Sequence, residues 1–260
     1  MNNSRRNFLK IAGVTALGAG AVSVAGKAVG SYLPDMHRTA PHDNAVTAKR
    51  WGMVIDTRRF TTTQDFQPLI DACHKIHNVP NIPGKQEVKW LWYDSFEHVF
   101  PHKMDEFQSH SVEGRQYLLL CNHCDDPPCV RVCPTKATFK RDDGIVLMDM
   151  HRCIGCRFCM AACPFGARSF NFQDPRPFIK EEDQNREFPT RMKGVVEKCN
   201  FCAELLAVGK QPACVEASDG ALVFGDLGDP DSEIRHVLHE NYTIRRKPDL
   251  GSNPSVFYII

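Results

Sequence analysis

Neither sign of charge is in surplus: 32 Lys and Arg stand against 31 Asp and Glu. That balance excludes the basic field of a non-specific nucleic-acid binder, so no nucleic-acid partner is expected and any charged docking face is local. No glycine-rich nucleotide fingerprint, and none for a flavin or pterin, is present, and no nucleophile–base set stands out. The chain is therefore not expected to be an enzyme with a substrate site of its own. A run of about 20 residues rich in Leu and Ile, as an ordinary membrane span requires, is also missing. Cysteine, by contrast, is abundant. Twelve occur in 260 residues, and a hydrophobic content of 42% is enough for a core of one large or two small domains.

Near the start, Arg5-Arg6 is followed by Phe8, Leu9 and Lys10, then by the uncharged Ala/Gly-rich run from Ile11 to Gly26. A charged start before a short apolar stretch reads as an export signal, and the arginine pair resembles the twin-arginine type. Residues 1–35 are expected to be that signal or an uncleaved anchor. The expected location is periplasmic, peripheral on the outer face of the cytoplasmic membrane.

An even number of cysteines in an exported chain is ordinarily read as disulfides. The spacing argues otherwise. "CIGCRFCMAACP" places Cys153, Cys156, Cys159 and Cys163 at C-x2-C-x2-C-x3-C before Pro164. That is the run by which bacterial ferredoxins hold [4Fe–4S] clusters. Three thiolates on a tight loop reach three iron corners only if the backbone wraps closely, which small Gly155 permits. A second run, "CNHCDDPPCVRVCP", supplies Cys121, Cys124, Cys129 and Cys133. Between the runs, Asp142-Asp143-Gly144 separates two short apolar stretches and predicts a hairpin; "ARSFNF" after the second run predicts a strand. In two-cluster ferredoxins the fourth cysteine of each run ligates the other cluster. Cys121, Cys124, Cys129 and Cys163 are thus expected at cluster one. Cys153, Cys156, Cys159 and Cys133 are expected at cluster two.

A third group holds Cys199, Cys202 and Cys214, and the position where a fourth ligand would follow is Ser218. Three thiolates cannot fill four corners, and a serine alkoxide is a poor substitute because its pKa is high. Here the chain resembles the ferredoxin-like electron-transfer subunits of respiratory oxidoreductases, the family of dimethyl sulfoxide reductase, polysulfide reductase and formate dehydrogenase. Its members usually carry four cysteine groups that cross in pairs, the middle two together and the first and last together. Their first group is bounded by features that this chain keeps as Asp56, Ala72-Cys73 and Asn78-Val79-Pro80. Three of its cysteines are absent, with Phe60 at the place of the first. The resemblance implies that one cluster has lost all four ligands together, while Cys73 completes cluster three with Cys199, Cys202 and Cys214. It implies three [4Fe–4S] clusters in all.

The fold class implied is α+β, with two bacterial-ferredoxin-like units related by pseudo-symmetry and carrying loop and strand insertions. The outer unit is expected over 48–80 and 194–228, with one cluster retained and one lost, and the inner two-cluster unit over 118–172. Residues 81–117, which include the strand candidate "EVKWLWYDSF", and the charged, proline-punctuated 173–193 are expected as insertions, either solvated loops or partner contacts. Residues 229–260 are expected to form a docking or capping helix, with Ile234, Val237 and Leu238 at helical spacing, and a tail. His123 and His151 flank cysteines but are expected to be hydrogen-bonding or surface residues. Arg131, Arg152, Arg157 and Lys198 also flank cysteines, where they either offset the clusters' negative charge or lie solvated. The wording of "FQDPRPFIK", "PTRMKGVVEKCNFC" and "LGSNPSVFYII" narrows the resemblance to the exported branch of the family that serves sulfur metabolism. That implies two partners, a polytopic quinone-interacting membrane subunit and a multihaem cytochrome c. The equivalent subunit of a polysulfide, nitrite or related reductase is the alternative. A zinc- or disulfide-stapled interaction protein, which would be colourless, is the contrasting class.

Overall fold

The computed structural model describes residues 43–260, and the export segment expected over 1–35 lies outside them. At its centre is β1, Trp51–Asp56, buried along nearly its whole length. Alternation explains why both of its faces are covered. Met53 and Ile55 point into the main core, while Val54 points the other way, against Ile234 and Ile259. β1 pairs antiparallel with β8, Leu222–Asp226, and parallel with β10, Val256–Ile259. The edge strand β9, Thr243–Ile244, completes the order β8-β1-β10-β9.

The helix Glu233–Glu240 seats its Ile234, fully buried, on this same sheet. It therefore caps its own fold. The segment expected as a C-terminal tail is instead part of the sheet, because β10 lies between β1 and β9. An apolar run such as "VFYI" gains more as an inner strand, buried on both faces, than as a free end.

The segment 81–117 likewise departs from the solvated-loop expectation. β2, Leu91–Ser95, pairs antiparallel with β3, Gln116–Leu120. Trp90, Leu91, Phe96, Val99 and Phe100 are all buried in the main core. Phe100 meets Tyr117 and Tyr258 edge-on, at 5.4 and 5.3 Å between ring centroids. Large aromatics carry too much apolar area to be left in water when a sheet face is at hand. Most of 103–111 does remain exposed.

The predicted hairpin forms between β4, Thr138–Lys140, and β5, Val146–Met148. The strand after the second cysteine run is short: β6, Ser169–Phe170, pairs with β7, Val196–Glu197. The two cysteine-bearing segments are not paired alike. β1 joins β8 directly, whereas β3 and β6 each pair outside the inner segment. Among the described residues, no helix is long and apolar enough to cross a membrane.

Candidate metal centres

All twelve cysteines are free thiols in the described chain. They gather in three groups of four. Cys121, Cys124, Cys129 and Cys163 line one cavity together with Asn122, Phe165 and Arg168. Cys133, Cys153, Cys156 and Cys159 line a second, with Ile154 and Arg157 at its rim. Cys73, Cys199, Cys202 and Cys214 form a buried third group. Burial, and then the closeness of Cys199, Cys214 and Cys202, push the Cys73 thiol well above its ordinary pKa.

Local backbone explains how each loop bends around its cavity. His123, Gly155, Arg157, Phe201 and Cys202, all within or beside the C-x2-C turns, have positive φ. Such left-handed residues turn the backbone sharply and let it wrap. Short helical turns then carry the third ligand position: Cys129 on Pro128–Arg131, Cys159 on Phe158–Ala161, Cys214 on Ala213–Glu216. Cys73 comes from farther away. It shares a face with Leu69 on the helix Gln67–Ile76, and both side chains are buried.

Gly155 is the tightest of these positions. Its φ is +70°, and a Cβ there would lie 2.4 Å from the carbonyl oxygen of Gly194 and 3.2 Å from the Phe170 ring. Gly155→Ala is expected to displace the Cys153–Cys156 loop, adding roughly 1–2 kcal/mol of left-handed strain to the clash. Iron analysis should show the loss concentrated in the second group, with the other two retained.

The groups follow one another in a row. Cys159 of group two neighbours Cys129 of group one, and Cys199 of group three neighbours Cys121 of group one. Group two meets solvent, since Cys156 is the one exposed cysteine. Group three is sealed. Beside it His77 places Nδ1 at 2.8 Å from the Cys73 carbonyl oxygen and 3.7 Å from its sulfur, and Nε2 at 2.7 Å from Glu204. Burial alone would raise the Glu204 pKa, but His77 and Asn200 bond its carboxylate and hold it below the ordinary value. Neither His77 nor Glu204 was singled out from sequence, where nothing marks two residues so far apart as partners.

The position of the fourth missing ligand is built for something else. Ser218 Oγ donates to the Val215 carbonyl at 2.7 Å and accepts from the Leu222 amide at 3.1 Å. Phe60 is buried against Phe66, at 4.9 Å between rings, and Phe66 stacks on Tyr93. The hydroxyl is committed to backbone hydrogen bonds and the aromatic ring to packing.

The charged neighbours divide sharply. Arg131, Arg152 and Arg157 are exposed, and Arg152 pairs with Asp149. Lys198 is buried and donates to the carbonyls of Val146 and Cys199. Arg168, missed from sequence because it sits inside the strand candidate, is 5% exposed. Burial opposes its charge, but Cys129, Cys159 and Cys121 around it outweigh that and raise its pKa. His123 is buried, accepts from the Val146 amide through Nδ1 and stacks on Phe201; His151 is exposed. A ring nitrogen already accepting an amide hydrogen is not available to a metal.

Several buried donors around group one have no partner: the Asn122 amide, Arg168 Nη2 and Ser252 Oγ, the last beside Cys124. Leaving such groups unmet costs about 1–3 kcal/mol each. A thiolate-bound iron–sulfur cluster, anionic and rich in acceptor sulfur, meets that donor set. The residues present fit the group.

Comparison with known proteins agrees with this chemistry. Residues 116–176 match the 4Fe-4S dicluster domain family. The chain is 41% identical to the Hdr-like menaquinol oxidoreductase iron–sulfur subunit 1 of Archaeoglobus fulgidus, over 98% of this chain and 97% of that one. It is 35% identical to a tetrathionate reductase subunit of Salmonella typhimurium, over 100% of this chain and 89% of the other. With a polysulfide reductase chain of Wolinella succinogenes the identity is 41%, covering 82% and 95%. The clustered thiols, the dicluster match and the likeness along whole chains place this protein in the family of iron–sulfur electron-transfer subunits of respiratory oxidoreductase complexes.

Proposed function

We propose that the chain carries three [4Fe–4S] clusters on two ferredoxin-like units and relays electrons within a membrane-associated complex. The observation that carries this reading is the gathering of twelve thiols into three groups of four, with none left over. The clusters, when bound, supply reversible one-electron transfer. The chain's own part is to hold them in file and keep water from two of them. It also opens the third to a partner. Group two reaches the surface at Cys156, where Ile154 and Phe158 are 67% and 59% exposed beside Arg157. Exposed apolar side chains of that size, beside a charged rim, suit transient docking.

The partners we propose are a polytopic quinone-interacting membrane subunit and a multihaem cytochrome c. The arrangement is that of the DsrMKJOP complex of sulfur metabolism, whose DsrO subunit the sequence resembles. The relative described as a menaquinol oxidoreductase iron–sulfur subunit supports a quinol-linked role. Export by the twin-arginine route places the relay on the outer face of the cytoplasmic membrane. A second reading, a polysulfide-type reductase subunit, is favoured by the likeness to the Wolinella succinogenes polysulfide reductase.

Two measurements test the proposal. Iron and acid-labile sulfide should each approach about twelve atoms per chain, and stepwise reduction should reveal three paramagnetic centres. A colourless, zinc-containing protein would overturn it. Co-purification with a multihaem cytochrome that quinol reduces through this subunit separates the first complex from the second.

A further inference from the structure

Two buried cations stand at the junctions between adjacent cysteine groups, and neither has a carboxylate. Arg168 lies between group one and group two. Its electrostatic neighbours are Cys129 and Cys121 on one side and Cys159 on the other. Its Nη1 donates to Thr138 Oγ1 at 3.2 Å, and its Nη2 is buried without a partner. Lys198 lies between group one and group three. Its ammonium, 2% exposed as a residue, donates to the carbonyl of Cys199 at 2.7 Å and to that of Val146, which lines the group-one cavity. Among the described residues, neither side chain forms an ion pair.

An unpaired buried charge is costly, and proteins pair or neutralise nearly all of them. Arg191, as deeply buried as Arg168, is matched by Glu197 at 2.7 Å, whereas Arg246, equally buried and without an ion pair among the described residues, has Cys163 of group one among its electrostatic neighbours. At the two junctions no acid is provided, so the counter-charge has to come from what the cysteines hold. Group one is flanked by both cations and by the unpartnered donors of Asn122 and Ser252. Group three is sealed from water and faces a carboxylate, since Glu204 lies within 4.8 Å of the Cys202 sulfur. One-electron reduction adds one negative charge. It is therefore favoured beside buried cations and donors, and disfavoured beside a carboxylate such as Glu204, which is about a third exposed (34%) and bonded to His77 and Asn200.

Resting on the three-cluster reading, we infer that Arg168 and Lys198 are positioning counter-cations that make the central, group-one site the most readily reduced of the three, and the place where an electron rests between its two transfers. The sealed group-three site is correspondingly the hardest to reduce.

The test is a redox titration followed by electron paramagnetic resonance on the purified holoprotein. Iron analysis on the same sample first establishes three clusters, so that a failure of that count is distinguishable from a failure of the inference. Cys73→Ser identifies the group-three couple by its disappearance, and Cys153→Ser identifies that of group two. Arg168→Met is expected to make the group-one and group-two couples about tenfold harder to reduce, about 59 mV for a one-electron couple, and to leave group three in place. Lys198→Met is expected to shift groups one and three and spare group two. Arg168→Lys, which keeps the charge, should leave the couples close to their wild-type potentials. Equal movement of all three couples in both variants, or no movement, would overturn the inference. Should either Met variant fail to assemble, the wild-type order decides: group one must titrate at the highest potential, and any other order removes the claim.

Discussion

Cys73→Ser is expected to lower the iron bound per chain by about one third, from about twelve atoms to about eight, with sulfide falling in step. The side chain is 5% exposed and directed at Cys199, Cys202 and Cys214, so a serine there would have no water to turn to. Serine presents oxygen in nearly the same volume, but its hydroxyl stays protonated where a thiol would ionise. Groups one and two take all their members from Cys121 to Cys163 and do not depend on the helix Gln67–Ile76. Their signals should persist unchanged. A uniform loss across all three signals would point instead to general unfolding. Unchanged iron would show that Cys73 is only a small apolar core residue.

What the sequence revealed, and what it hid, follows from the range of each interaction. The cysteine runs could be read directly because a cluster-binding loop is local: ligands two or three residues apart have few other uses. The hairpin at Asp142–Gly144 was legible for the same reason, its turn chemistry lying within a few residues. Strand pairing was not. Nothing in "EVKWLWYDSF" says that its partner is β3, or that Trp90 will be core rather than a solvated rim. The C-terminal "VFYII" carries no sign that it inserts beside β1, at the opposite end of the described residues. Buried charge was hidden most completely. Arg131, Arg152 and Arg157 looked like cluster neighbours by spacing and proved exposed, whereas Arg168 was passed over and is buried between two cysteine groups. Adjacency in sequence marks the loop, not the side toward which a long side chain turns.

Glu197→Ala is expected to be among the most damaging substitutions outside the cysteines. The carboxylate is wholly buried and receives Trp90 Nε1 at 2.7 Å, Arg191 Nε at 2.7 Å and the Asn171 amide. Arg191 in turn donates to the carbonyls of His77 and Asn78 and lies over the Trp90 ring at 5.3 Å. One acid thus ties β7, the segment bearing Trp90, the 173–193 loop and the end of the helix that carries Cys73. Its removal strands a buried guanidinium, a loss of about 3–5 kcal/mol. For a domain of this size that corresponds to a fall of roughly 6–20 °C in the thermal midpoint, measured at a fixed scan rate. Because the helix end is freed first, the group-three signal should be lost before the other two as temperature rises. The double variant Glu197→Leu with Arg191→Met removes both charges and should cost less than Glu197→Ala alone, since an apolar pair carries no desolvation penalty. If the double variant is the worse of the two, the network is held by its hydrogen bonds rather than by the need to match a buried charge. The same reasoning about the unmatched Arg168 and Lys198 would then lose its footing.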